Sequence, residues 1–216
     1  MRAFVFASVM LLPGCSGVYY SAMEKIGKEK RDILASRIAE GKKDQEKAKE
    51  QFKTTLEAFQ ALTGFDGGDL EKTYKKLNNE FESAEARAKD VREQIASIEK
   101  VSQDMFKEWG AEIDTMSNAQ IKLESRNMLR DTQRRQALLM DKMRDSERRM
   151  QPVLKIFRDQ VLFLKHNLNA RAIRSLKNTA VQLDTQVTSL VKDIDVSIAE
   201  ADAFIASLSK QGKASE

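Results

Sequence analysis

A chain of 216 residues with nearly a third of its residues charged, two prolines and nine glycines has the length for one domain with a sizeable core and the composition of an almost wholly helical one. Its formal charge of +4 is too small to argue for nucleic acid in bulk, despite a sequence pI near 9.0. The single cysteine excludes a disulfide framework.

The chain opens on "MRAFVFASVMLLPGC", in which Arg2 supplies a positive start and Ala3 to Leu12 an apolar core. That core is too short to span a bilayer, which takes about 20 residues, and reads as a secretion signal over residues 1–14. Gly14 before Cys15 completes "LPGC", which resembles the bacterial lipoprotein box, although Pro13 departs from its usual small or β-branched residue. The resemblance implies that Cys15 is the acylated first residue of the mature chain, and Ser16 after it implies outer-membrane delivery. Residues 15–24 then form a lipidated tether in which Tyr19 and Tyr20 suit the lipid interface.

A single long-helix bundle is expected over residues 18–210, with helices at about 18–63, 69–115, 118–168 and 170–209 and a frayed tail at 211–216. In the first helix the apolar spacing is best at Ala48, Phe52, Leu56, Phe59 and Leu62. Its middle, "EGKKDQEKAKEQ", is mostly charged and holds Gly41, which costs a helix about 1 kcal/mol, so this part is expected to be exposed and mobile. The helix ends at "TGFDGGD", with Gly64 as its C-terminal cap.

Leu70, Tyr74, Leu77, Phe81, Ala84, Ala88, Val91, Ile95 and Ile98 step through the second helix by fours and threes, the narrow seam of a coiled coil. The pattern lapses at "WGAEIDTMSNAQ", where Ser117 and Gln120 fit a capping box; a turn is expected there, against the alternative of one continuous helix. Leu139, Met143, Met150, Val153, Phe157, Val161, Leu164 and Leu168 mark the third helix, with Pro152 as a kink or a new first turn. Ile173, Leu176, Ala180, Leu183, Val187, Leu190 and Ile194 continue the heptads in the fourth, and Ile198, Ala201, Ile205 and Leu208 follow after a phase shift. Short connections make neighbours antiparallel, so the fold class is all-α: an elongated antiparallel coiled-coil or four-helix bundle without sheet.

Nothing in the sequence supports catalysis or a cofactor. There is one histidine, no glycine-rich phosphate cradle after a strand and no metal-ligand spacing. Charge is unevenly distributed: from Lys122 to Lys177 fifteen basic residues face six acidic ones, whereas Asp184 to Asp202 holds five acids and one lysine. Folding the last helix back brings Asp193 and Asp195 toward Arg144, and Glu200 and Asp202 toward Arg134 and Arg135. The unpaired remainder is expected to gather near the last turn, in Lys155, Arg158, Lys165, Arg171, Arg174 and Lys177, and Lys165, His166, Arg171, Arg174 and Lys177 form a candidate tip for an anionic partner. Lys165 and His166 also offset the negative end of the third helix dipole. Beside them "VLFL", Val161 to Leu164, is apolar all round and is expected to pack internally.

"RDQVLFLKHNLNARAI", with the lipobox-like start and the ending "IAEADAFIASL", resembles a family of predicted Gram-negative lipoproteins of unknown function, across essentially the whole mature chain. The resemblance implies an envelope protein with a helical, coiled-coil body and carries no activity, cofactor or catalytic residue. The expected function is a non-enzymatic, lipid-anchored periplasmic scaffold or adaptor that meets an envelope protein or peptidoglycan, and not nucleic acid. The alternative is a bundle that associates with or bridges membranes through its basic last hairpin.

Overall fold

A computed structural model describes residues 30–213, with side chains through residue 210. The signal segment, Cys15, the tether with Tyr19 and Tyr20, the expected helix before Lys30 and residues 214–216 lie outside the described part. Five helices follow in order: α1 (Lys30–Thr63), α2 (Leu70–Thr115), α3 (Ala119–His166), the short α4 (Ala170–Ser175) and α5 (Lys177–Lys213). At about 1.5 Å per residue, α2 and α3 are rods of roughly 70 Å.

Each long helix packs on two others. α1 lies against α2 and α5, and α3 lies against the same two on the opposite side; α4 touches α1 and α5. Ion pairs give the direction of packing, since Lys42 meets Asp202 at 2.8 Å and Lys49 meets Asp195 at 2.8 Å, one number rising as the other falls. The bundle is therefore up-down-up-down and elongated. It places the α1–α2 loop and the α3–α4 turn at one end, with Lys30, the α2–α3 connection and the end of α5 toward the other.

The heptad seams explain why these helices associate. Leu77, Phe81, Ala84, Ala88, Val91, Ile95 and Ile98 of α2 are all buried. In α5 the buried series runs Leu183, Val187, Leu190, Ile194, Ser197, Ala201, Phe204 and Leu208, and its four-three alternation never breaks. The expected phase shift is thus absent. Ser197 and Phe204 occupy the inward positions, and Ile198 and Ile205 flank them, partly buried.

The same correction applies to α1. Its charged middle keeps an inward stripe, Ile38, Gly41, Gln45, Ala48 and Phe52, and all five residues are buried. The segment expected to be exposed and mobile is a waist made from small and polar side chains. A Cβ added to Gly41 would stand 2.8 Å from Ile98 Cδ1 and 3.1 Å from Met143 Cε, so the missing side chain is the space that α2 and α3 fill. The helix-propensity cost of a glycine is accepted here in exchange for close packing.

At this waist the core carries a polar layer. Gln45, Ser146 and Ser197 are each fully buried, on α1, α3 and α5. Gln45 Nε2 donates to Ser146 Oγ at 3.1 Å across the bundle, and Ser146 Oγ donates to the Met143 carbonyl at 2.8 Å. Gln45 Oε1 and Ser197 Oγ are buried without a hydrogen-bond partner among the described residues. Nearer the α1–α2 loop the core is aromatic, with Phe59 edge-on to Phe157, ring centroids 6.1 Å apart.

Connections follow local hydrogen-bond chemistry. Gly64 does not take the left-handed backbone of a glycine cap; its N–H bonds the Gln60 carbonyl at 2.9 Å, and the left-handed residue is Gly68, φ 102°. Asp69 then caps α2 through the Lys72 N–H at 2.9 Å. The second and third stretches are separate helices, and the cap of α3 is Asn118, not Ser117: Asn118 Oδ1 accepts from Gln120 N–H at 3.0 Å and Ile121 N–H at 3.1 Å. α3 continues through Pro152 as one helix. The expected fourth helix is divided at Leu176, whose N–H bonds the Ile173 carbonyl at 3.0 Å in a tightened turn, while Ile173 and Leu176 both stay buried. Its final part runs to Lys213, past the expected start of the tail.

Acids of α5 choose different partners from those expected. Asp202 and Asp195 pair with Lys42 and Lys49 of α1, and Asp193 with Arg149 of α3 at 3.0 Å. Arg144 pairs with Glu99 of α2 instead, and Arg134 with Asp131 of its own helix. The hydrogen bonds to Asp202 and Asp195 are the main cause that holds the Lys42 and Lys49 ammonium groups above their ordinary pKa, against the opposing effect of desolvation.

The polar layer makes an asymmetric prediction for urea unfolding. Ser146→Ala strands the Gln45 amide and is expected to cost about 1–3 kcal/mol, whereas Gln45→Leu removes the amide and its unpartnered oxygen together and leaves stability equal or about 1 kcal/mol higher. Equal losses in the two variants would contradict this account of the layer.

Candidate functional site

The stretch from Val161 to Lys177 forms the end of the bundle opposite Lys30. Val161 and Leu164 face the core at 5% and 0% exposure, which anchors the last turn of α3. Leu162 and Phe163 do not follow them inside. They stand 52% and 40% exposed, so the expected internal packing of "VLFL" holds for its outer two residues only. The reason is helical geometry: with 3.6 residues per turn, four consecutive side chains cannot all reach one core.

The two asparagines build the turn. Asn167 donates from Nδ2 to the Phe163 carbonyl at 3.0 Å, and its N–H reaches the Leu164 carbonyl at 3.2 Å, closing α3. Asn169 Oδ1 accepts from the Arg171 and Ala172 N–H groups, both at 3.1 Å, and opens α4. Ala172 and Ile173 are buried beneath the turn.

Capping at both sides of three residues fixes where the cations stand. Lys165 and His166 occupy the last turn of α3, as the dipole argument expects. Arg171, Arg174 and Lys177 lie on the other arm, at one-turn spacing. All five candidate residues are exposed, and none takes part in an ion pair among the described residues. Asp66 and Asp69, on the loop at the same end, are not ion-paired to them either; Asp69 is engaged in capping α2.

This contrasts with the sides of the rod. Arg158, expected to be unpaired, lies about two turns below the end and pairs with Glu85 of α2, which also raises its pKa through the hydrogen bond and the charge of that carboxylate. Arg92 pairs with Glu147 at 2.7 Å, and Lys42 and Lys49 with α5. These pairs link neighbouring helices along the body, where Lys43, Lys76, Lys155 and Lys192 nevertheless stay without ion pairs, and none of the pairs reaches the turn.

The other end has a different surface. There Trp109 Nε1 donates to Ser125 Oγ at 3.1 Å, and Arg126 pairs with Asp114 at 3.0 Å, closing the α2–α3 hairpin. Ile121 and Leu123 are 54% and 52% exposed on it, a feature that the sequence reading passed over. No described helix is long and apolar enough to cross a membrane, and no group of three potential ligands among the described residues is placed to hold a metal ion.

Comparison with known proteins places the chain in one family. A model described as a protein of unknown function (DUF2959) matches residues 19–208, and the chain belongs to that family. No curated protein matches it.

Because the candidate cations are exposed and have no ion-pair partners at the turn, reversing Lys165 and Arg171 to Glu is expected to move the urea unfolding free energy by no more than about 0.5 kcal/mol. A loss of several kcal/mol would mean that these side chains hold the turn together.

Proposed function

We propose that this protein is a non-enzymatic, lipid-anchored scaffold or adaptor of the cell envelope, which holds its basic end away from its anchor to engage a partner. The observation that carries the reading is the cluster of Lys165, His166, Arg171, Arg174 and Lys177, exposed and without ion-pair partners at the end opposite Lys30. Cations without ion pairs also stand along the sides, among them Lys43, Lys76, Lys155 and Lys192, but at this turn four lysine and arginine side chains gather with His166, and such a cluster is available for recognition.

The remaining parts of the proposal rest on sequence. "LPGC" supports acylation at Cys15, and Ser16 supports an outer-membrane lipoprotein facing the periplasm. The antiparallel bundle supports a spacer role, since α1 separates Lys30 from the basic end by about 50 Å. A helical rod with its core filled by heptad side chains needs no cofactor for that role.

Two measurements test it. Labelling with radioactive palmitate is expected to mark the wild-type chain and to vanish in Cys15→Ser; an unlabelled wild type removes the anchor from the proposal. Affinity capture of full-length protein after cross-linking in cells is expected to lose its main partners in Lys165→Glu/Arg171→Glu. Identical partner sets from a folded variant would contradict recognition by this end.

A further inference from the structure

We infer that the surface met by the basic end is an anionic lipid membrane in trans, so that the anchored rod spans from one lipid surface to another. The inference rests on the preceding reading that this end is the working one, and it names the chemistry of what is bound.

Four helices of about 10 Å diameter present an end of roughly 400 Å², whereas a stable interface with a folded protein takes about 800 Å² from each partner. Such a partner would have to run down the sides, where Arg158 is committed to Glu85, Arg92 to Glu147 and Lys49 to Asp195. A lipid surface needs no groove and no lateral contact.

Leu162 and Phe163 are exposed and lie within one turn of the end of α3, about 6 Å from it. Apolar side chains of surface-bound helices enter the boundary between headgroups and acyl chains to a depth of about 5–10 Å. Lys165 stands beside them, and Arg171, Arg174 and Lys177 start within about 10 Å of the same end. Seating the turn about 6 Å into the headgroup boundary brings Leu162 and Phe163 to it, and the long stems of the cations let their charged groups reach phosphate. The carboxylates of Asp66, Asp69 and Glu71 share this end, but Asp69 is bound to a helix N-terminus and Glu71 is paired with Lys75, while Lys72 and Lys76 add to the four lysine and arginine charges of the turn. The opposite end exposes Ile121 and Leu123 without that excess: from Trp109 to Asp131 the hairpin has three basic residues, Lys122, Arg126 and Arg130, and four acidic ones, Glu112, Asp114, Glu124 and Asp131. Lys122 and Arg130 at that end are likewise without ion pairs, so what distinguishes the basic end is its excess of positive charge.

Vesicle capture tests the inference independently of Cys15. Full-length protein with a C-terminal hexahistidine tag is held on zwitterionic vesicles through a nickel-chelating lipid; α5 ends toward the Lys30 side, so the basic end points outward. Phosphatidylglycerol-containing vesicles are then added at low salt and their capture is measured. Wild type is expected to capture them, to lose them at high salt and to ignore phosphatidylcholine vesicles. Each reversed cation is worth roughly fivefold, so Lys165→Glu/Arg171→Glu/Arg174→Glu is expected to weaken capture by about a hundredfold or more. Leu162→Ser/Phe163→Ser, which keeps every charge, is expected to weaken it severalfold. Circular dichroism checks folding; if the charge-reversal variant unfolds, the corresponding Gln triple substitution is read in its place. Failure of wild type to capture anionic vesicles, or equal capture by a folded charge variant, overturns the inference. If anionic vesicles stay unbound while the cellular partners still depend on Lys165 and Arg171, the lipid inference falls and the adaptor reading stands.

Discussion

The buried hydrogen bond between Gln45 and Ser146 is the constraint around which the bundle is arranged. A seam of aliphatic side chains repeating every three and four residues fits nearly as well after a slip of one heptad, because each layer resembles the next. A fully buried amide that finds its acceptor at 3.1 Å in only one alignment removes that degeneracy. Gly41 and Ala48 on either side of Gln45 bring α1 close enough for the contact, and Gly41 meets both Ile98 and Met143. Ser197 places a third polar group at a seam position of α5. Stability comes from the apolar layers above and below, and alignment comes from this one.

Once α1, α3 and α5 are aligned, the surface charges follow. Lys42 and Lys49 reach Asp202 and Asp195, and Arg149 reaches Asp193. Exposed pairs of this kind contribute about 0–1 kcal/mol each, too little to hold the fold, and a slip of one heptad would still face Lys42 with Asp195 or Lys49 with Asp202, so the alignment is left to the polar layer. The same alignment brings the α1–α2 loop and the α3–α4 turn to one end, where the cations of α3, α4 and α5 have no facing row of acids. The proposed working surface is in this sense a consequence of the packing register, which brings the cations of α3, α4 and α5 together at one turn.

Much of this was legible from spacing alone. Helix α2 and the first half of α5 declare their seams through unbroken aliphatic steps, and Asn167, Leu168 and Asn169 mark a reversal between two amphipathic stretches. What was not legible shares one physical cause. Gly41, Gln45, Ser146 and Ser197 sit at heptad positions without being apolar, so a search for hydrophobic periodicity reads them as gaps: an exposed middle in α1, a missing step between Met143 and Met150 in α3, and a phase shift after Ile194 in α5. Continuing the three-four count through those positions, whatever residue they hold, recovers all three helices. The partners of the α5 acids were missed for a different reason. Folding the chain about Asn169 considers only sequence neighbours, whereas the ring of four helices gives α5 a second neighbour, α1, rich in lysine. The exposure of Leu162 and Phe163 follows from counting helical positions and not from composition, since an apolar run on a two-sided helix always leaves some members outside.

The relation between the two ends of the rod is the point on which the account turns, and a distance measurement addresses it directly. Spin labels at Asp66→Cys and Arg171→Cys, in a Cys15→Ser background, report whether the first loop and the last turn share an end. Pulsed dipolar spectroscopy is expected to give a separation below about 30 Å, the width of a four-helix cross-section plus the label arms. A separation of roughly 60–70 Å, the length of one of the long helices, would place the two turns at opposite ends and contradict the arrangement from which the proposed working surface is derived.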